Sequence, residues 1–444
     1  MGSDNLFGEL PETSPPGAGE AKGKPRLREP QRDQIELRPM DLESLIEEDH
    51  PVRVIWGYVE RLDLSELEDT IKSREGRPGH PAISPHLLMG LWLYATSQGI
   101  GSARQLEKLC DRENAYRWMC GGVRVNYHTL SDFRVDHGDL LDCLLADNVA
   151  VLAGRGLIDL STLAQDGIKV RANAGAASFR RRRTLEQHLE AACALVEKLK
   201  REVHDDPAAT SKRIKAARER AARERVEHIK AALHELSQVE KIRKKREKKN
   251  RNQTEKQKEP RASTSDPEAR TMKMADGGFR PAYNVQVVST AGEQIVVAVE
   301  PSNVGSDRGM IEPMLQHVRN RTGRLPERHL ADGGFTAAKA IEWAHAEHVA
   351  IYAPPTKSKH GNDPFAPRKD DGPGVVAWRE RMASENGKTL YKLRSICECI
   401  HARWRNWNLI HLALRGHIKV KAAMLWYALA NNILQGNRLI RAAV

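Results

Sequence analysis

The chain has 444 residues, 40% hydrophobic and 29% charged, with a net charge of +12. That length suggests two or three domains with room for a core, and six cysteines are too few for a disulfide scaffold, which fits a reducing cytoplasm. There is no apolar run of the roughly 18 residues that a transmembrane helix needs, and the polar start, Met1 to Gly23, lacks the apolar segment of a signal peptide.

The charge is unevenly placed. Residues 181–260 carry 24 Lys and Arg against 14 Asp and Glu, and beyond Glu398 the chain holds 7 Lys and Arg and no acid. Two separate basic regions point to a polyanionic partner, most simply nucleic acid; merely solvated basic helices are the plain alternative.

In chain order, residues 1–35 are expected to form a disordered tail of turn formers and charge without periodicity. From 36 to about 150 the pattern is helical, beginning with Leu42, Leu45 and Ile46, then Val52, Ile55, Trp56 and Val59. Ser84 before Pro85 predicts an N-cap, opening a helix with a buried face of Leu87, Leu88, Leu91, Trp92 and Ala95. Thr129 or Ser131 is expected to cap a further helix. Short helices joined by tight turns suit either a helix-turn-helix-like module or a plain helical domain.

Around 160–175 a short strand is predicted, ending at Asp166. Two heptad seams follow, Leu185, Leu189, Ala192, Val196, Leu199 and Val203, then Ala222, Val226, Ile229, Leu233 and Leu236, broken at Pro207. They predict an antiparallel helical hairpin with a frayed basic end. Strands return near 281 as a hairpin around Thr290 to Glu293. A helix closed by Gly323, a strand ending at Asp332, another helix and a strand stopped by prolines come next. Residues 357–388 read as loop, and a helical pattern runs from Tyr391 to Leu434.

Without the hairpin, the element order is that of a ribonuclease-H-like α/β domain. In such a fold carboxylates at adjacent strand ends converge on a late helix. Asp166, Asp332 and Glu398 are the candidates, and three carboxylates suit two hard divalent cations that assist in-line phosphoryl displacement. The glycines after each Asp are expected to let substrate approach. Tyr391, Arg394, Glu398 and Arg405 fall on one helical stripe, placing a carboxylate between two phosphate-binding arginines.

Other residues take plainer readings. Cys397, Cys399 and His401 do not share a helix face and make a poor zinc site. Tyr283, Val285 and Val287 are expected in the core, as are Trp404, Trp407 and Trp426. Asn284 and Gln286 face the other way, where contact with the site is the alternative to a plain strand face, and Asp307 is expected to N-cap a helix rather than to bind metal.

The segments "HPAISPHLLMGLWLYATSQGIGSARQLEKLC", "YHTLSDFR", "QDGIKVRANA", "DPEARTMKMADGGFRPAYNVQ", "HLADGGF" and "YKLRSICECIHARWRNWNLIHLALRG" resemble bacterial insertion-sequence DDE transposases. The similar branch carries a Tyr-x2-Arg-x3-Glu-x6-Lys signature and an InsH-type N-terminal helical domain. The resemblance spans roughly 36–434. It implies Asp166, Asp332 and Glu398 as catalytic and metal-binding residues, with two Mg²⁺ or Mn²⁺ ions. It further implies DNA contacts from Tyr391, Arg394 and Arg405, the last standing where the signature has Lys.

The expected organisation is a helical DNA-binding domain over 36–155 and a catalytic domain over 156–440, with the helical insertion at 180–260. The implied activity is metal-dependent strand cleavage and strand transfer on double-stranded DNA, at transposon terminal inverted repeats and target DNA. A homodimer on DNA, in the bacterial cytoplasm at the nucleoid, goes with it. Two other readings are a nuclease that cuts without joining and a catalytically inactive DNA-binding relative.

Overall fold

The computed structural model describes residues 39–74, 76, 80–205, 209–249, 259–356 and 363–443. The expected tail at 1–35 and the break at Pro207 lie outside these residues.

The helical pattern of the first third is realised as Pro51–Val59 (α1), Ser65–Thr70 (α2), Pro85–Ser97 (α3), Ala103–Arg112 (α4), Asn114–Cys120 (α5), Tyr127–Asp136 (α6) and Gly138–Gly154 (α7). α3 is buried on all sides rather than along one face. Ser84 occupies its N-cap position but its side chain caps nothing. α6 is capped by Asn126, whose Oδ1 accepts from Thr129 N at 2.9 Å, so neither Thr129 nor Ser131 is the cap. Asn126 wins because it is the extended residue just before the helix, whereas Thr129 and Ser131 already lie inside it.

The strands and remaining elements are Thr162–Arg171 (β1), Phe179–Arg180 (β2), Arg182–Asp205 (α8), Ala209–Lys249 (α9), Ala262–Ser263 (β3), Arg270–Lys273 (β4), Phe279–Thr290 (β5), Val296–Ser302 (β6), Ile311–Thr322 (α10), Arg328–Ala331 (β7), Ala338–Ala346 (α11), Ala350–Tyr352 (β8), Pro373–Ala383 (α12), Glu385–Tyr391 (α13), Ser395–Asn406 (α14) and His417–Ala443 (α15). β6, β5, β1, β7 and β8 lie side by side, and β4 pairs with the start of β5 on the same edge as β6. β5 is antiparallel to β1 and β6, whereas β1, β7 and β8 run parallel. This mixed sheet is the ribonuclease-H-like arrangement that the element order implied.

The insertion is a helical hairpin. Leu185, Ala192, Val196, Leu199, Ala222, Val226, Ile229 and Leu236 form its own buried seam. Arg182 at the start of α8 donates to Glu240 near the end of α9 at 2.8 Å, so the helices are antiparallel. The β2–β3 ribbon closes its base, and an Arg270–Glu235 ion pair ties α9 to β4.

Two expectations give way in the last quarter. The expected loop at 357–388 contains α12 and the start of α13; residues 357–362 of it lie outside the described set. The single late helix is instead α13, a 3-10 turn at Lys392–Arg394, α14, an irregular link and α15. α14 stops because Asn408 adopts φ 60°, while Asn408 N and Leu409 N bond to the carbonyls of Arg405 and Trp404, both at 2.9 Å. That is a Schellman closure with Asn in the left-handed position.

α15 packs on α1, α3, α6 and α7 and also on β6. One buried cluster consequently runs from Val52, Trp92 and Leu130 through Trp426 and Trp404 to Ile168, Tyr283, Val285 and Val287 of the sheet. The N-terminal helices and the sheet share a core through this last helix, and the expected core residues are in it. Trp407 packs against it partly buried.

Candidate active site

Asp166 lies in the middle of β1, not at its end. The expectation was off because β1 runs on to Arg171 against β5, while its pairing with the short β7 stops at Gln165 opposite Ala331. Beyond that pair this edge of β1 has no strand partner until Arg171 bridges to His411, and Asp166 is the first residue in the gap. Asp332 is the first residue after β7, the next step in the same register. Neighbouring strands are about 4.8 Å apart, so the register sets the two aspartates on adjacent strands.

Asp166 is 21% exposed. Its Oδ1 accepts from Gly167 N at 2.8 Å and its Oδ2 from Arg394 Nη1 at 3.2 Å. Burial pushes its carboxyl above the usual range, and the negative charges of Asp307 and Asp332 add to the rise; the Gly167 N–H and Arg394 oppose it. Asp332 is exposed and caps its own 3-10 turn, Gly333–Phe335, accepting from Gly333 N at 2.7 Å.

Glu398 is placed by its neighbour. Cys397 is fully buried and its thiol donates to Ala164 O of β1 at 3.2 Å, fixing the first turn of α14 on the sheet. Glu398 is thereby held at the exposed margin, where its Oε1 accepts from Arg394 Nη2 at 2.6 Å. Arg394 stands in the Lys392–Arg394 turn, which packs on both β1 and β7. Its guanidinium bridges Asp166 and Glu398 and lies 5.9 Å from the centre of the Tyr391 ring.

The expected single stripe is therefore split over three elements. Tyr391 ends α13, Arg394 lies in the 3-10 turn, and Glu398 and Arg405 share α14. Tyr391, Arg394 and Glu398 still meet. Arg405 is exposed at the far end of α14, and its charge reaches His401.

His401 was missed as a neighbour of the site. It lies one turn beyond Glu398, with Nδ1 3.8 Å from Asp166 Oδ2, and burial, with Arg405 and Arg394, holds its pKa down at about 4. Its spacing from Arg394 and Glu398 was a legible signal, obscured by the metal-motif reading of the cysteines. Asp307 was missed as well. It is not an N-cap, since α10 starts at Ile311 behind Met310. Its Oδ1 instead accepts from Asn284 Nδ2 at 2.7 Å and Gln286 Nε2 at 2.8 Å, which is where those two side chains go.

The glycines serve the protein more than a substrate. A Cβ on Gly167 would stand 2.5 Å from Asp307 Oδ1, and one on Gly333 would stand 2.8 Å from Pro354 O. Only Gly334 faces open space.

Two family models match the chain: the Transposase domain (DUF772) family over residues 40–136 and the Transposase DDE domain family over residues 251–433. The chain belongs to the insertion-sequence DDE transposases. No curated protein and no solved structure matches it.

The DDE match contains Asp332, Tyr391, Arg394, Glu398 and Arg405, while Asp166 lies between the two matched segments. DDE transposases break and rejoin phosphodiester bonds of DNA with divalent metal ions, and this transposase acts in DNA transposition. Neither the cutting-only nuclease nor the inactive DNA-binding relative gains support from the matches. No described helix is long and apolar enough to cross a membrane.

Among the described residues no three His, Cys, Asp or Glu side chains converge closely enough to hold a metal ion. The donor chemistry nevertheless suits a hard cation, because Asp166, Asp332 and Glu398 offer only carboxylate oxygens. Arg394 already places one positive group between Asp166 and Glu398. A divalent cation would meet the same demand for charge, and Asp332 follows the adjoining strand.

Proposed function

We propose that Asp166, Asp332 and Glu398 are the catalytic carboxylates and hold two Mg²⁺ or Mn²⁺ ions during transposition. The observation that carries this reading is the guanidinium bridge from Arg394 to Asp166 and Glu398, one strand away from Asp332. Divalent cations, when bound, activate the attacking oxygen and stabilise the leaving one.

This chain's residues do the positioning. Arg394 holds two carboxylates that would otherwise repel each other, and releases Glu398 as the scissile phosphate takes up the guanidinium. Tyr391 backs Arg394 with its ring, and Arg405 contacts a phosphate at the other end of α14. In the first step water attacks the phosphorus at the transposon end, the P–O3′ bond breaks and a 3′-hydroxyl is freed. In the second step that hydroxyl attacks a target phosphodiester and displaces a target 3′-oxygen. Terminal inverted repeats bind the helical region 36–155, a homodimer pairs two ends, and the insertion over 180–260 adds basic surface for DNA.

Asp332→Asn tests the reading. It keeps the side chain's shape and removes a charged ligand. Strand cleavage should disappear while gel-shift binding of the terminal repeat persists; loss of both together would contradict the division between basic binding surfaces and carboxylate chemistry.

A further inference from the structure

On the face of β1 opposite Asp166 runs a chain of buried amides that strand cleavage, as derived above, does not use. His329 Nε2 on β7 donates to Gln165 Oε1 at 2.9 Å. Gln165 Nε2 donates to Gln286 Oε1 at 2.9 Å, and Gln286 Nε2 donates to Asp307 Oδ1 at 2.8 Å. Asn284 Nδ2 adds a second donor to the same oxygen at 2.7 Å. His329, Gln165 and Asn284 are completely buried. Each donor points the same way, and the chain ends on one carboxylate oxygen.

The loop carrying Asp307 is tied down on both sides. Gln165 Nε2 also donates to Met310 O at 3.2 Å, and Asn284 Nδ2 to Val304 O at 3.2 Å. A buried polar network that spans three strands is costly unless it is paired, and of its buried side-chain atoms His329 Nδ1 and Asn284 Oδ1 are left without a partner. Here it links the strand of Asp332, the strand of Asp166 and this loop.

Gly167 is where the network meets the site. Its N–H donates to Asp166 Oδ1, so this peptide orients the catalytic carboxylate. Its backbone is not in the left-handed region; glycine is required by closeness alone. A Cβ there would stand 2.5 Å from Asp307 Oδ1, 2.8 Å from Gln286 Nε2 and 2.9 Å from Asn284 Oδ1.

We propose that Asp307 is a positioning residue for Asp166: clamped by Asn284 and Gln286, it seats the Gly167 peptide and so fixes where Asp166 stands relative to Asp332. This inference rests on reading Asp166 as a catalytic carboxylate. Asp307 acts through hydrogen bonds, and its free oxygen need not touch substrate or metal.

The test compares Asp307→Ala, Asp307→Asn, Gly167→Ala and the Gly167→Ala/Asp307→Ala double variant, with Asp166→Asn as control. The readouts are calorimetric Mn²⁺ binding, cleavage of a plasmid carrying the gene with its own flanking sequence, and gel-shift binding of that sequence. Removing a residue that orients a metal ligand typically weakens metal binding or activity about 10–100-fold. Asp307→Ala and Gly167→Ala should each lose that much in Mn²⁺ affinity and cleavage, with DNA binding unchanged. Asp307→Asn keeps an acceptor for Asn284 and Gln286 and should retain most of both. The double variant should be no worse than Asp307→Ala, because deleting the carboxylate removes the closest contact of the new Cβ and releases the Gln286 and Asn284 side chains that make the other two, so they can turn aside.

Wild-type behaviour of Asp307→Ala overturns the proposal. So does an Asp307→Asn variant as damaged as Asp307→Ala, which would make Asp307 a direct charged ligand, or losses that multiply in the double variant. If Gly167→Ala does not fold, the Asp307 pair decides by itself. A fully active Asp166→Asn would refute the reading of Asp166; an inert Asp166→Asn beside a fully active Asp307→Ala refutes only the role of Asp307.

Discussion

Replacing Arg394 with Ala should destabilise the metal-free protein and should do so less when a divalent cation is supplied. The Arg394 and Asp166 side chains are 17% and 21% exposed, whereas Glu398 is 59% exposed. Breaking a fully buried pair costs about 3–5 kcal/mol, and an exposed pair contributes about 1 kcal/mol or less. Arg394 lies between these limits, so a loss of about 2 kcal/mol is expected. At about 2 cal/mol/K of unfolding entropy per residue, a chain this long would melt roughly 2 °C lower. The assay is thermal unfolding in EDTA and in Mg²⁺. In EDTA the variant leaves Asp166 under the negative charges of Asp307 and Asp332 without a cation; in Mg²⁺ an ion can replace the guanidinium, and the gap to wild type should narrow. Arg394→Lys should recover only part, since one ammonium cannot serve two carboxylates as a planar fork does. A gap of equal size in EDTA and Mg²⁺ would refute the idea that Arg394 holds a cation's place.

Arg405→Ala should slow cleavage more than it weakens terminal-repeat binding, and Arg405→Lys should keep most activity; an unchanged rate for Arg405→Ala at saturating DNA would make it only part of the general basic surface. His401 is held down at about 4 and His329 at about 3, mainly by burial. The unfolded chain protonates these rings near pH 6.5 and the native chain resists, so the stability they give is present above 6.5 and is lost as pH falls towards 4 for His401 and towards 3 for His329. His401→Gln should flatten that part of the urea-midpoint profile, and an identical slope would contradict its burial as a neutral ring. Trp426 is 1% exposed, and its indole donates to Arg134 O at 2.9 Å. Trp426→Ala should cost about 3–5 kcal/mol, and hydrogen exchange should accelerate in both the N-terminal helices and the sheet; acceleration in the helices alone would mean that α15 does not join the two.

What the sequence disclosed follows from how local each signal is. The β5–β6 hairpin, α10 with Gly323 in the left-handed region, and the α8–α9 seams are written in neighbouring residues, and they were legible. α12 was not, because its cap comes from elsewhere: Glu342 on α11 accepts from Gly374 N at 3.0 Å and Val375 N at 2.8 Å. α13 has a local cap and was hidden instead by a glycine inside it, which reads as a breaker. Ser384 accepts from Gly387 N at 3.0 Å, and Gly387 permits a backbone approach that a Cβ, 2.0 Å from Arg381 O, would forbid. Helical periodicity continued smoothly across the Lys392–Arg394 turn, which concealed the division of the supposed stripe. Asp332 stood out because it follows a strand and Glu398 because an arginine lies four residues before it, whereas Asp166 stood out on an expected strand end that lies instead at Arg171. Asp307 carried no such mark, since its partners are brought to it only by strand pairing.

The central claim is that Asp166, Asp332 and Glu398 act together on divalent metal ions. The most direct measurement is anomalous diffraction from the protein crystallised with its terminal-repeat DNA and Mn²⁺. The account predicts Mn²⁺ peaks bound by Asp166 and Asp332, with Glu398 freed from Arg394 and turned towards them. Mn²⁺ bound at full occupancy elsewhere, with Glu398 still paired to Arg394 beside an intact scissile phosphate, would contradict it.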